Sequence, residues 1–104
     1  ELSRLLFNFG LKDVLDFISY WRAASRIIGG VHFIILPAGV HSEAEVNALK
    51  HVVDAVLEFR VNEGAYEYEN TLVVVKTKGL FKPIKLPFIV NENGITIETV
   101  SRIS

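Results

Sequence analysis

Two lysines at the end of an apolar strand pattern are the residues of this sequence best suited to chemistry. Lys76 and Lys78 follow three consecutive valines, residues 73–75, and precede Gly79. Because side chains alternate between the two faces of a strand, we expect both lysines to share a face while Thr77 points away. Two ammonium groups on one face form a compact cationic pair suited to phosphate. The pattern therefore predicts a phosphate-contacting pair at this strand end.

The same lysines also have a simpler interpretation. Residues 76–85 carry four lysines and no acidic residue, and charged side chains on an exposed strand are usually solvated or protect a sheet edge from pairing. Both interpretations stay open on the pattern alone. A complete nucleotide-hydrolysing enzyme is disfavoured, because the chain contains no Gly-x-x-x-x-Gly-Lys-Ser/Thr loop to hold phosphates. We assign no catalytic residue to this chain.

Composition narrows the class of protein. A net charge of -1 over 104 residues argues against a general binder of nucleic acid or membrane surfaces, which would be clearly basic. The absence of cysteine excludes disulfides and thiolate metal sites and fits a reducing compartment, so we expect a cytoplasmic protein. No apolar run approaches the roughly 18 residues of a membrane span. The three histidines, separated by nine and ten residues, match no compact ligand motif, and we predict no metal site.

Two further features of the composition suggest that the chain belongs to something larger. Half of its residues are hydrophobic, which is high for a small domain, so the apolar surface is either packed in a two-faced sheet or meets material outside this chain. There is also no methionine, even at position 1, which suggests an excised segment of a longer protein. We therefore expect one α/β domain over residues 1–104, either complete or completed by the rest of a longer protein.

The first half of the sequence predicts two helices and one strand. Apolar residues at helical spacing predict a helix from Leu11 to the Gly29-Gly30 pair, preceded by a short helical turn that closes at Gly10. The run 31–36 is continuously apolar apart from one histidine, which is typical of a central strand covered on both faces. Ser42 and Glu45 match a capping box and predict a helix over 43–53.

The second half predicts two β-hairpins. Residues 55–61 should turn at 62–64 and pair with 66–77, and residues 84–90 should turn at Asn93-Gly94 and pair with 95–100. Tyr66 and Tyr68 share one strand face, where cross-strand packing is the default interpretation and a subunit interface the alternative. The fold class expected from this order is α/β, with a partly parallel sheet flanked by helices and ending in antiparallel hairpins.

Four stretches of the sequence resemble a known family over nearly the whole chain. The likeness is to the C-terminal half of a RecA-type ATPase core, closest to the KaiC-like branch. The stretches that carry it are Tyr20-Trp21-Arg22 with the following 29–35, the segment 51–60, the strand end 74–79, and the closing hairpin 87–90 with 93–95.

The resemblance implies a role for the two lysines. In the family, the matching positions lie beside the γ-phosphate of a nucleotide bound by the neighbouring subunit, so Lys76 and Lys78 are expected as nucleotide-binding residues acting in trans. Lys78 stands where the family usually has arginine, and Leu36-Pro37-Ala38 replaces a small polar sensor, which puts hydrolysis in doubt.

The resemblance also implies partners and cofactors. It implies a homo-oligomer, or association with the remainder of the same polypeptide, with no membrane and no direct indication of nucleic acid. No cofactor is expected in this chain itself, while ATP and Mg²⁺ would belong to an intact parent whose Walker A and B elements lie elsewhere. The alternative is a degenerate relative that hydrolyses nothing and serves as an oligomerisation or protein-interaction module.

Overall fold

The described residues form two helices and four strands, in the order α1, α2, β1, β2, β3, β4. The computed structural model describes residues 1–63, 68–79 and 82–98. The chain divides into two units, Glu1–Val53, which holds both helices, and Asp54–Ser104, which holds the strands.

The first unit begins with α1, Ser3–Ile28, which bends at the glycine that the sequence marked as a break. Gly10 has φ +83° and ψ 167°, a non-helical conformation that glycine adopts without the strain of a side chain. The helix ends where predicted, because Gly29 also has a positive φ of +83° and its amide donates to the Ser25 carbonyl at 2.7 Å.

The second helix, α2, covers Glu43–Val52 and begins with the predicted capping box. The Glu45 amide donates to Ser42 Oγ at 3.2 Å, and Glu45 Oε1 accepts from the Ser42 amide at 3.2 Å and from its hydroxyl at 2.9 Å. These bonds satisfy amides at the helix start that have no partner within the helix. The prediction is confirmed, with the helix one residue shorter than expected.

A small apolar cluster holds the two helices together. Its buried members are five side chains, four from or beside α1 and one from α2: Leu2, Leu6, Val14, Ile18 and Leu49. Leu2 and Leu6 are four residues apart, as are Val14 and Ile18, which is the spacing of a helix that buries one face.

The second unit is a four-stranded sheet in sequence order. The strands are β1 Val56–Glu63, β2 Tyr68–Lys76, β3 Ile84–Asn91 and β4 Gly94–Ile97. Every neighbouring pair is antiparallel, with Phe59 opposite Leu72 and Leu72 opposite Leu86. Both predicted hairpin pairings are therefore confirmed, although residues 62 and 63, expected in the first turn, belong to β1. The second turn lies at residues 92–93, so Gly94, expected within the turn, is the first residue of β4.

The expected fold class, α/β with a partly parallel sheet, is wrong. The described sheet is entirely antiparallel, and with two helices the fold is a small α+β arrangement. The error lies in one segment: residues 31–36, expected as the central parallel strand, form no ladder with any described strand. The remaining strands follow one another through short connections, which join antiparallel neighbours.

Candidate functional site

The candidate site is the Lys76 end of β2 together with the sheet face that this strand shares. Lys76 is the last residue of β2 and is half-buried, whereas Lys78 is exposed and lies in the turn that follows, next to Gly79 with φ +82°. Because β2 ends at Lys76, strand alternation cannot place Lys78 on a particular face. The shared orientation of the two ammonium groups stays a prediction.

A register shift lies immediately before the lysines. Val56 is opposite Lys76 while Leu57 is opposite Val74, so β2 contains one more residue than β1 at this point, Val75. An extra residue of this kind bends a strand and re-aims the next side chain, and such irregularities occur often next to functional sites. Lys76 therefore does not simply continue the side-chain row of Leu72 and Val74.

Two more lysines belong to the same basic stretch. Lys82 and Lys85 are exposed, and Lys85 lies on β3 opposite Val73 of β2. The basic stretch therefore has three exposed cations, Lys78, Lys82 and Lys85. Solvent exposure is what the simpler interpretation of these lysines requires, and a phosphate site would also use exposed cations.

One face of the sheet is almost wholly apolar, and we call it the apolar sheet face. Among the side chains that the structure describes, strand alternation and the observed register place on it the polar Asn70 and eleven hydrophobic residues: Leu57, Phe59, Val61, Leu72, Val74, Ile84, Leu86, Phe88, Val90, Ile95 and Ile97. Phe59 packs edge-to-face against the buried Phe88 with ring centroids 5.9 Å apart. Charges lie on the opposite face, where Arg60 donates to Glu58 at 2.7 Å.

Most of the apolar sheet face is open to solvent. Phe59 is 63% exposed, Val61 62% and Val90 60%, and four further members are between 41% and 59% exposed. Soluble monomers seldom leave contiguous apolar patches larger than roughly 300–600 Å² uncovered, and such patches mark interaction sites. Lys76 lies two residues beyond Val74 of this face, so a partner covering the face would approach the end of β2.

The tyrosine prediction falls largely on residues outside the description. Tyr66 lies outside the described residues, and Tyr68 is placed only as the first residue of β2. Their proposed interface role stays a prediction.

The histidines have individual surroundings. His32 was expected within a strand and instead lies in the unpaired segment, where its Nε2 is 3.1 Å from the Gly29 carbonyl oxygen and its ring is 5.7 Å from that of Trp21. His51 is exposed on the last turn of α2. In the part of the chain that the structure describes, no group of three or more histidine, aspartate or glutamate side chains could hold a metal ion.

A serine–histidine contact in the first unit was not anticipated. Ser3 Oγ and His41 Nε2 are 2.8 Å apart, and the Phe7 ring lies against the imidazole with centroids 5.1 Å apart. Ser3 is only 7% exposed, so its hydroxyl is closed to a substrate, and the contact fixes the start of α1 against the loop before α2. The partners are 38 residues apart, and no local spacing could have indicated the pair.

Among the described titratable groups, the one clearly shifted pKa lies at the start of α2. Hydrogen bonds from the Ser42 hydroxyl, and then from its amide, lower the pKa of the Glu45 carboxyl, and the charge of His41 adds a smaller lowering. A carboxylate that accepts hydrogen bonds is stabilised in its charged form. This perturbation stabilises the helix start and lies in the first unit, whereas Lys76 and Lys78 lie in the second.

Comparisons with family models, curated proteins and solved structures returned no match to this chain. Neither described helix combines the length and the apolar character needed to cross a membrane.

Proposed function

We propose that this chain is the C-terminal part of a KaiC-like, RecA-superfamily ATPase, in which it forms a subunit interface and offers Lys76 and Lys78 to a nucleotide held by a neighbouring subunit. The observation that carries the proposal is the uncovered apolar sheet face with a basic strand end beside it. The sequence resemblance supports the family, and the absence of cysteine supports a cytoplasmic setting.

The interface half of the proposal follows from the cost of exposed apolar surface. Burying apolar surface stabilises a complex by roughly 25 cal/mol per Å². Seven large hydrophobic side chains of the apolar sheet face are at least 41% exposed, so covering them favours association. A partner that covers these eleven hydrophobic positions would desolvate no charged group at any of them.

The nucleotide half follows from charge and position. An ammonium group near a transferring phosphoryl group offsets the negative charge on its oxygens. Lys78 is exposed and able to reach a partner, and the register shift ahead of Lys76 changes the direction of that side chain. The lysines fit a phosphate by charge alone, since an ammonium cannot make the bidentate contact of a guanidinium. Binding of ATP and Mg²⁺ would belong to the rest of the protein.

A second candidate function is a non-catalytic interaction module. Lysine at position 78 and the apolar-proline sequence Leu36-Pro37-Ala38 both depart from the family pattern that supports hydrolysis. The apolar sheet face would serve such a module equally well.

The test uses the intact parent protein and measures nucleotide turnover together with assembly by sedimentation. We expect Lys76→Ala and Lys78→Ala to lower turnover by roughly tenfold or more while nucleotide affinity and assembly are kept, because the groups act across the interface. Phe59→Asp should weaken assembly, since it places a charge in the apolar sheet face.

Lys12→Ala is the matched control, because Lys12 is an exposed lysine of the first unit that pairs with Asp16 at 3.6 Å. It should change neither quantity. Unchanged turnover in both lysine variants would remove the nucleotide role, and a parent that assembles without any turnover would favour the interaction module.

A further inference from the structure

The segment Val31–Ile35 has the composition of a buried strand, but it pairs with no described strand and its side chains are exposed. It runs without a turn or bend, and none of its non-glycine residues has a positive φ. Val31 is 80% exposed, Phe33 75% and Ile35 68%. Side chains of this kind, β-branched and aromatic, are those that favour a pleated and covered sheet.

The backbone of the segment is also open. Among the described residues it makes one backbone hydrogen bond, from the Leu2 amide to the Ile35 carbonyl at 2.9 Å. The backbone groups of residues 31–34 take part in no described ladder. A row of amides and carbonyls without partners is the feature that makes an open strand edge a template for another chain.

An apolar cavity lies beside this segment. It has a volume of about 210 Å³, opens to solvent, and is lined chiefly by hydrophobic side chains, among them Phe17 and Trp21 of α1 and Phe33 and Ile35 of the segment, with Glu1 as the one charged residue. The Glu1 carboxylate already accepts from the Ser3 amide at 2.9 Å.

We propose that Val31–Ile35 binds an extended, uncharged apolar peptide segment by β-strand addition, with one apolar side chain of that segment entering the cavity. Only an extended chain presents amides and carbonyls at the spacing that this backbone can pair with. A helix satisfies its own backbone and would leave the segment unpaired. A charged side chain would lose hydration against the apolar lining, and an acidic one would also face the Glu1 carboxylate.

The inference goes beyond the proposed function and does not depend on it. It concerns the first unit, requires neither nucleotide nor the lysines of β2, and can be tested with the 104-residue chain alone. The proposed function can fail while this binding is observed, and the reverse also holds.

The probe is a synthetic peptide of alternating valine and threonine between terminal lysines. Trp21, the single tryptophan of the chain, lines the cavity and reports binding by its fluorescence. We expect a saturable shift of its emission to shorter wavelength. The same peptide with N-methyl groups on alternate amides should bind at least about tenfold more weakly, because it loses two or more backbone hydrogen bonds.

Two phenylalanine variants locate the site. Phe33 lines the cavity and Phe59 lies on the apolar sheet face, and both are more than 60% exposed. Phe33→Ala should weaken peptide binding by about tenfold, while Phe59→Ala should leave it unchanged. Hydrogen exchange should show new amide protection within residues 31–35.

Three results would overturn the inference. One is equal binding of the methylated and unmethylated peptides, which would mean apolar contact without strand pairing. Another is no saturable change in fluorescence or exchange. The third is protection confined to the edge strands β1 or β4, or an equal effect of the two phenylalanine variants, which would place the peptide on the sheet.

Discussion

Replacing the capping serine of α2 gives the sharpest test of the structure. Ser42→Ala removes the hydroxyl that accepts from the Glu45 amide and donates to the Glu45 carboxylate, and leaves in place the bond from the Ser42 amide. Both lost bonds are exposed, so water replaces them in part, and the typical cost of an alanine at this position applies, about 1 kcal/mol. That cost is roughly a fivefold loss in the folding equilibrium.

The effect should extend beyond α2. The helix has only ten residues, too few to be stable by itself, and Leu49 is its member of the buried cluster shared with α1. Loss of the cap therefore lowers the stability of the packed pair of helices. Urea unfolding of the full chain, followed by helical circular dichroism and by the fluorescence of Trp21, measures this change in the free energy of unfolding.

Ser42→Asn separates the hydrogen bond from other effects of the substitution. Asparagine accepts from the same amide and ranks with serine as a capping residue, so its variant should lie within a few tenths of a kcal/mol of the original protein. A Ser42→Ala change below about 0.3 kcal/mol, or equal losses in both variants, would refute the hydrogen-bond account of this helix start.

Two further predictions concern the first unit. Because the pKa of Glu45 is lowered by folding, its carboxylate takes up a proton at higher pH in the unfolded chain than in the folded chain. The contribution of Glu45 to stability is therefore present above the unfolded pKa and is lost as pH falls through the folded pKa. Urea unfolding between about pH 7 and about pH 3 should show this loss, and Ser42→Ala should show less of it; equal pH profiles would contradict the coupling. Leu49→Ala should cost about 2–5 kcal/mol, since the side chain is 5% exposed. Asn47→Ala, on the exposed side of the same helix, should stay within about 0.5 kcal/mol, and equal losses in the two variants would argue against the cluster.

Local features of this protein could be predicted because their causes lie within a few neighbouring residues. The capping box needs only Ser42 and Glu45, three positions apart, and the bend in α1 needs only a glycine that can take a positive φ. The β3–β4 hairpin was indicated by Asn93-Gly94 between two apolar stretches, although the turn lies one residue earlier, at residues 92–93.

The candidate site could be predicted only in part. Sequence pattern placed Lys76 at the end of a strand, where it lies, but the two-residue alternation invoked for Lys78 fails once β2 ends. The extra residue Val75 depends on how two strands fit together, and no pattern within β2 reveals it.

The sequence by itself determined the helices, their ends and the two hairpins, because each depends on contacts between residues that are close in sequence. Only the tertiary structure decided that the sheet is wholly antiparallel and that its apolar face remains exposed. The physical reason is clearest at residues 31–36. A β-branched run specifies that a segment can be a strand, but whether it becomes one depends on a partner for its backbone, and that partner is not encoded in the run itself.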